Sequence, residues 1–139
     1  MSSIGVASLA RRFLVETWGQ NRAETVDELA DENLTVFYPV LKTPLRGRPA
    51  FKALLAGHHA VLADIELMVN EIIATADRAV VCSTQRVTQH GEFLGIPTTG
   101  KSATFTAITL YRIQNGKIIE ERGEEDLYGL LECLRAAGD

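Results

Sequence analysis

The sequence predicts an α+β domain: a curved, mostly antiparallel sheet forming a conical cavity covered by three helices, with a short C-terminal helix at the end. Three observations carry this. Apolar residues recur at helical spacing through most of the chain before Asp64, the period falls from about 3.6 to 2 beyond it, and Asn115-Gly116 marks a tight turn between two long alternating segments. Helices placed before and after a run of consecutive strands belong on one face of the sheet they cover. A curved sheet that stops short of closure leaves space beneath those helices, the default ligand site in a domain without a surface motif.

Each element has a local reason. Val6, Leu9, Phe13 and Trp18, widened by Ala10 and Leu14, make one apolar stripe on a helix from Ile4 to Trp18, which Gly19 ends. A shorter helix over Arg22 to Ala30 packs Val26 and Leu29. Leu34 to Tyr38 is rich in β-branched and aromatic residues and reads as a strand, which Pro39 stops. Pro49 suits the first turn of a third helix whose face is Phe51, Leu54, Leu55, His58, Val61 and Leu62. Ile65, Leu67 and Val69 alternate along one strand, and Val80, Cys82 and Thr84 along the next, after a turn at Ala76-Asp77-Arg78. The glycine-rich stretch from Gly91 to Lys101 is a loop. The segment from Thr104 folds back at Asn115-Gly116 and runs into the apolar helix after Asp126.

The 139 residues are one domain's worth, 1–139, with 46% apolar residues and a net charge of −4. No stretch is long and apolar enough to span a membrane, and the N-terminal residues do not read as an export signal, so a cytoplasmic protein is expected. Scattered Lys and Arg form no stripe for a phosphate backbone, which argues against nucleic acid. Cys82 and Cys133 are far apart and read as two buried thiols. GxSxG, HExxH, GxxxxGK[ST] and GxGxxG are all missing, and Pro97 to Ser102 imitates only the end of a phosphate loop. His58 and His59, adjacent on a helix, point too far apart to share a metal, so neither metal nor cofactor is expected.

The last hairpin brings carboxylates toward the cavity. With Asn115 and Gly116 as the turn, Gln114 faces Lys117 and the pairing continues in step, setting Asp126 opposite Phe105, Glu124 opposite Ala107, Arg122 opposite Thr109 and Glu120 opposite Tyr111. One face then carries Phe105, Thr109, Tyr111, Arg122, Glu124 and Asp126. The other carries Thr106, Ile108, Leu110, Arg112, Ile119, Glu121 and Glu125, and polarity alone does not choose which looks inward. Gln85, or else Thr84 with Arg86, faces the cavity from mid-strand. Arg112 anchors a substrate carboxylate or ester, or pairs with Glu121 or Glu125 across the hairpin. Trp18, Phe37, Phe51 and Phe105 supply bulk for an apolar pocket or for the core.

The segments G-I-P-T-T-G-K at Gly95, Y-R-I-Q-N-G-K-I-I-E at Tyr111 and D-L-Y-G-L-L at Asp126, with Phe37-x-Pro39, Gly47-Arg-Pro-Ala-Phe51, Trp18 and Asn21, resemble the SnoaL-like polyketide cyclases of the nuclear transport factor 2-like superfamily. The resemblance implies the cone-shaped fold, a homodimer through the outer sheet face, and cofactor-free aldol ring closure of an apolar or aromatic polyketide-like substrate. It also implies that Asp126 is the acid/base, where the residues alone equally allow a helix cap. Tyr38 stands where relatives carry a histidine and could donate to an enolate or simply pack. Gln89 replaces another histidine of the family pattern, leaving His59, in preference to His58, as a substitute helper. The alternatives are a ketosteroid-isomerase-like isomerase or hydratase working with the same kind of base, and a non-catalytic small-molecule-binding domain.

Overall fold

The computed structural model describes residues 1–137. Helix α1 (Ser3–Leu14) starts where the Ser2 hydroxyl accepts the Gly5 N–H at 3.0 Å, and ends with Arg11 and Arg12 at the negative end of its dipole. It buries Val6, Ala10, Phe13 and Leu14 against strands β3 (Leu62–Ala74) and β4 (Arg78–Gln89). The helix expected to run to Trp18 changes character after Leu14. Val15–Gly19 is one π-helical turn, tied back by Thr17 Oγ1 donating to the Phe13 carbonyl at 2.6 Å. The extra residue in a π turn changes the direction of the side chains that follow, and Trp18 is buried at its end.

Helix α2 (Ala23–Leu29) leads into β1 (Ala30–Phe37), a short β2 (Leu45–Arg46) and α3 (Arg48–Val61), which carries Pro49 in its first turn. Strands β3, β4, β5 (Ser102–Gln114) and β6 (Lys117–Glu125) form a meander, followed by α4 (Leu127–Ala137). The order of major elements matches expectation, with β2 added. Asn115 and Gly116 both have positive φ, 52° and 72°, as the two central residues of this hairpin turn require.

The expected conical cavity is not formed. The six strands lie in the order β2-β1-β6-β5-β4-β3 as an open mixed sheet, neither closed nor strongly curled, with β1 parallel to β6. Closure requires the two edge strands to pair, and one edge here is the two-residue β2, which hydrogen-bonds only to β1. A ligand-sized pocket instead lies between the sheet and the layer of helices and loops over one face.

The hairpin register also departs from expectation. Gln114 faces Lys117 and Ile113 faces Ile118, but a bulge follows, so that Arg112 faces Glu120, Tyr111 faces Glu121 and Ala107 faces Glu125. One extra residue in β6 moves every later side chain to the other face. Phe105, Ala107, Thr109 and Tyr111 therefore share the inner face with Glu121, Gly123 and Glu125, whereas Arg122 and Glu124 point outward. Arg112 consequently meets neither Glu121 nor Glu125, but Glu120 at 3.3 Å on the outer face.

Two apolar clusters fill the space under the helices. The larger joins α1, α2, α3 and β1 through Phe13, Val26, Phe51 and Leu34, with Trp18 of the π turn; the smaller holds Leu62, Val87 and Phe105 under Leu130 and Leu134 of α4. Of the two cysteines expected to be buried, Cys82 is half-buried and Cys133 is exposed. Cys82 falls on the outward side of β4, and Cys133 lies on the solvent side of α4. No helix among the described residues is long and apolar enough to cross a membrane.

Candidate active site

The inner face of the sheet is built in rows. Ser83, Ala107 and Glu125 lie directly across β4, β5 and β6, next to a row of Val81, Thr109 and Gly123, followed by Ala79, Tyr111 and Glu121. Facing strands are about 4.8 Å apart, so each row is a line of neighbouring side chains. Ala107 and Gly123 keep the middle of the platform low. That low ground is where the polar groups of β4 and β6 can reach a common space.

Glu121 organises the wall beside it. Its Oε2 accepts the indole N–H of Trp18 at 2.9 Å and the hydroxyl of Tyr38 at 2.5 Å, joining β6 to the π turn and to the end of β1. Burial pushes the Glu121 carboxyl up, while the donors Tyr38, Trp18 and the nearby Tyr111 favour its charge. Burial and the Glu121 charge hold both tyrosines protonated far above the ordinary phenol range. Gly123 is part of this device, because a Cβ at that position would stand 2.1 Å from Tyr38 Cε1. Only glycine lets the Tyr38 ring lie over β6.

Between this platform and helices α3 and α4 is a cavity of about 340 Å³, bordered by Leu54, His58, Val61, Phe93, Leu94 and Leu127 as well as Trp18, Tyr38 and Glu125. Its size and apolar wall suit a small organic molecule. A narrow recess of about 10 Å³, which shares Trp18, Tyr38 and Glu125 with it, reaches Ser83, Gln85, Ala107 and Thr109. Glu125 thus stands where an apolar chamber meets a polar floor.

Two titratable groups there are displaced toward neutrality. Burial first, and then the charges of Glu121 and Glu124, raise the Glu125 carboxyl to about 7. Burial, assisted by His59, lowers His58 to about 4, so its imidazole is neutral at pH 7. The His58 ring stands edge-on to Trp18 with centroids 4.9 Å apart, and its buried Nε2 has no hydrogen-bond partner. A carboxylate poised near neutrality and an unoccupied imidazole nitrogen bordering one apolar cavity are suited to moving a proton beside a carbonyl.

The residues singled out from the sequence distribute unevenly around this centre. Trp18 and Tyr38 border the cavity and Gln85 its recess, but the Tyr38 hydroxyl already donates to Glu121. Asp126 is exposed; its Oδ1 accepts the Gly129 N–H at 2.9 Å, capping α4 outside the cavity. His59 donates through Nε2 to the Thr17 carbonyl at 2.9 Å, leaving His58 to face the pocket. Phe51 stacks in the main core against Phe13, and Phe105 lies under α4. Phe37 and Arg112 belong to the outer side, where the Arg122 guanidinium covers the Phe37 ring at 3.9 Å. Gln89, in the place of a family histidine, is fully buried and donates to the carbonyls of Gly91, Ile96 and Pro97, fastening the loop that brings Phe93 and Leu94 to the cavity.

Sequence reasoning did not single out Ser83, and it gave Glu121 and Glu125 a role only as partners for Arg112. A glycine between two glutamates at alternate positions, Glu121-Arg122-Gly123-Glu124-Glu125, was the available signal, since a strand-interior glycine often marks close approach of another group. Among the described residues no group of three or more His, Cys, Asp or Glu side chains is arranged to hold a metal ion.

The sequence profile of the SnoaL-like polyketide cyclases matches residues 8–134. Among solved structures, a protein assigned to the SnoaL-like polyketide cyclases from Jannaschia sp. CCS1 superposes with a TM-score of 0.85 at 22% identity, covering 98% of this chain and 93% of its own. IdmH from Streptomyces antibioticus, assigned as a polyketide cyclase, gives 0.80 at 25% identity over 93% of this chain and 98% of its own. An epoxide hydrolase of the LEH-like type from M. tuberculosis gives 0.74 at 16% identity over 97% and 92%, so the shared architecture extends to different chemistry. No functionally curated protein matches the sequence.

Proposed function

The chain belongs to the SnoaL-like polyketide cyclase family, and from that membership and the geometry of its pocket we propose that it catalyses cofactor-free carbon–carbon ring closure of a small, largely apolar ketone, with Glu125 as the acid/base. The observation carrying this reading is the position of Glu125: a half-buried carboxylate between the apolar cavity and its polar recess, held near neutrality by its surroundings.

In the proposed cycle the ionised Glu125 removes a proton from a carbon beside a carbonyl. The electron pair moves to that carbonyl oxygen, and the neutral His58, carrying its proton on Nε2, donates a hydrogen bond to the enolate. The enolate carbon then attacks a second carbonyl of the same substrate, forming the ring bond, and the new alkoxide takes the proton held by Glu125. No net proton is lost, and one carboxyl serves as base and then as acid. Trp18 and Tyr38, fixed by Glu121, form the rigid wall against which a flat substrate lies.

The test is deuterium uptake at the carbon between ring and carbonyl of β-tetralone in deuterium oxide, followed by proton NMR. This isolates the first step from ring closure. Acceleration by the wild-type protein and its loss in Glu125→Gln is the expected result. Unchanged acceleration by the variant would falsify the assignment of the base.

A further inference from the structure

The recess at the inner end of the pocket contains polar atoms that the proposed proton transfer does not use. Ser83 and Gln85 are 2% and 5% exposed, and both Ser83 Oγ and Gln85 Oε1 lack a hydrogen-bond partner. They lie two residues apart on β4, so the alternation of the strand turns both to the inner face. Buried polar atoms without partners are costly, and a pair bordering the same recess points to a ligand group that completes them.

We propose that Ser83 and Gln85 form a subsite for a hydroxyl group, selecting apolar ligands that present an alcohol, phenol or enol at their inner end. This rests on the ligand-pocket reading above and names the substrate class more closely. The recess, about 10 Å³, has room for about one oxygen atom. A hydroxyl both donates and accepts, so one such atom can donate to Gln85 Oε1 while accepting the Ser83 proton. A ketone oxygen would leave the Gln85 acceptor unpaired. An ammonium group would leave the Ser83 proton without an acceptor, and a carboxylate would meet Glu125 with no cation among the residues bordering the recess. An enol satisfies the site and is also the form in which a polyketide-like dicarbonyl presents a hydroxyl.

The matched probes β-naphthol and naphthalene differ by this one group. Calorimetric or fluorescence titration of the full chain is expected to show the naphthol bound at least about tenfold more tightly. In Gln85→Leu, which keeps the bulk and removes the acceptor, the preference should fall to about twofold or less, and Ser83→Ala, a smaller change in case the first variant fails to fold, should reduce it as well. Equal binding of the two probes by the wild-type protein, or a preference undiminished in a folded variant, would overturn the proposal. The readout needs no turnover, so a protein that prefers naphthol yet never exchanges tetralone protons would refute the catalytic reading and leave this subsite standing.

Discussion

Glu125 and Asp126 are consecutive carboxylates in different worlds. The first is the last residue of β6, directed inward across from Ala107, where burial holds its carboxyl near neutrality. The second has left the strand, lies in solvent, and spends a carboxylate oxygen on the first turn of α4. Strand alternation turns Glu125 inward, and the chain leaves β6 directly after it, so that Asp126 falls at the start of α4. Which carboxylate reaches the cavity is therefore set by the register of β6 rather than by the mere presence of an acidic residue at the strand end.

Neutralising each carboxylate in turn is the sharpest way to break that contrast. Glu125→Gln should slow tetralone exchange on the order of 10²–10⁴-fold, the usual worth of a positioned base, and Asp126→Asn should leave it within about twofold. The reverse ordering would return the catalytic role to Asp126. The wild-type rate should climb with pH and level off above about 7, because the base works only when ionised. A flat profile from about pH 5 to 9 would count against Glu125.

The support for the inner wall should show next as stability. Glu121→Ala strands the Trp18 and Tyr38 donors and should cost on the order of 3 kcal/mol in urea unfolding. Gly123→Ala pushes a methyl into the Tyr38 ring and should cost about 1–3 kcal/mol. Normal stability in both would mean that Tyr38 is not held as described. Glu125 itself should show the opposite sign. Its folded carboxyl titrates above the ordinary value, so its contribution is fully present below about pH 4.5 and is lost as pH rises through about 7. Glu125→Gln, which imitates the protonated form, should therefore raise the Tm at about pH 8 and leave it nearly unchanged at about pH 4. A gain of equal size at both would remove ionisation as the cause.

Much of this arrangement was legible in the sequence because it depends on local pattern. The helical stripe of α1, the proline-started α3 and the Asn115-Gly116 turn each follow from a few adjacent residues. Gln85 follows from strand alternation and Trp18 from its bulk, whereas Tyr38 follows from the family resemblance and not from local pattern. The bulge in β6 was not legible, since Ile118 and Ile119 are interchangeable as strand residues and only packing decides which one faces the core; Ile118 is fully buried. That single choice put Glu121 and Glu125, rather than Arg122 and Glu124, on the face that carries Phe105, Thr109 and Tyr111. The curvature of the sheet was equally out of reach, because closure is decided by pairing between distant edges. His58 and His59 differ only in what lies over each, the cavity for one and the Thr17 carbonyl for the other.

The smallest effect belongs to Asp126 as a cap. Its side chain satisfies one of the N–H groups left free at the start of α4, and the helix dipole favours a negative charge there. Asp126→Ala removes both benefits and should cost about 1 kcal/mol of stability, whereas Asp126→Asn keeps the hydrogen bond and should lose only a few tenths. Because α4 covers Phe105 through Leu130 and Leu134, the alanine variant should also hasten amide exchange in the first turn of that helix without altering exchange in the core of β4 and β5. If asparagine proved as harmful as alanine in the unfolding measurement, the charge would be serving something beyond the cap, and the division of labour between these neighbouring carboxylates would have to be redrawn.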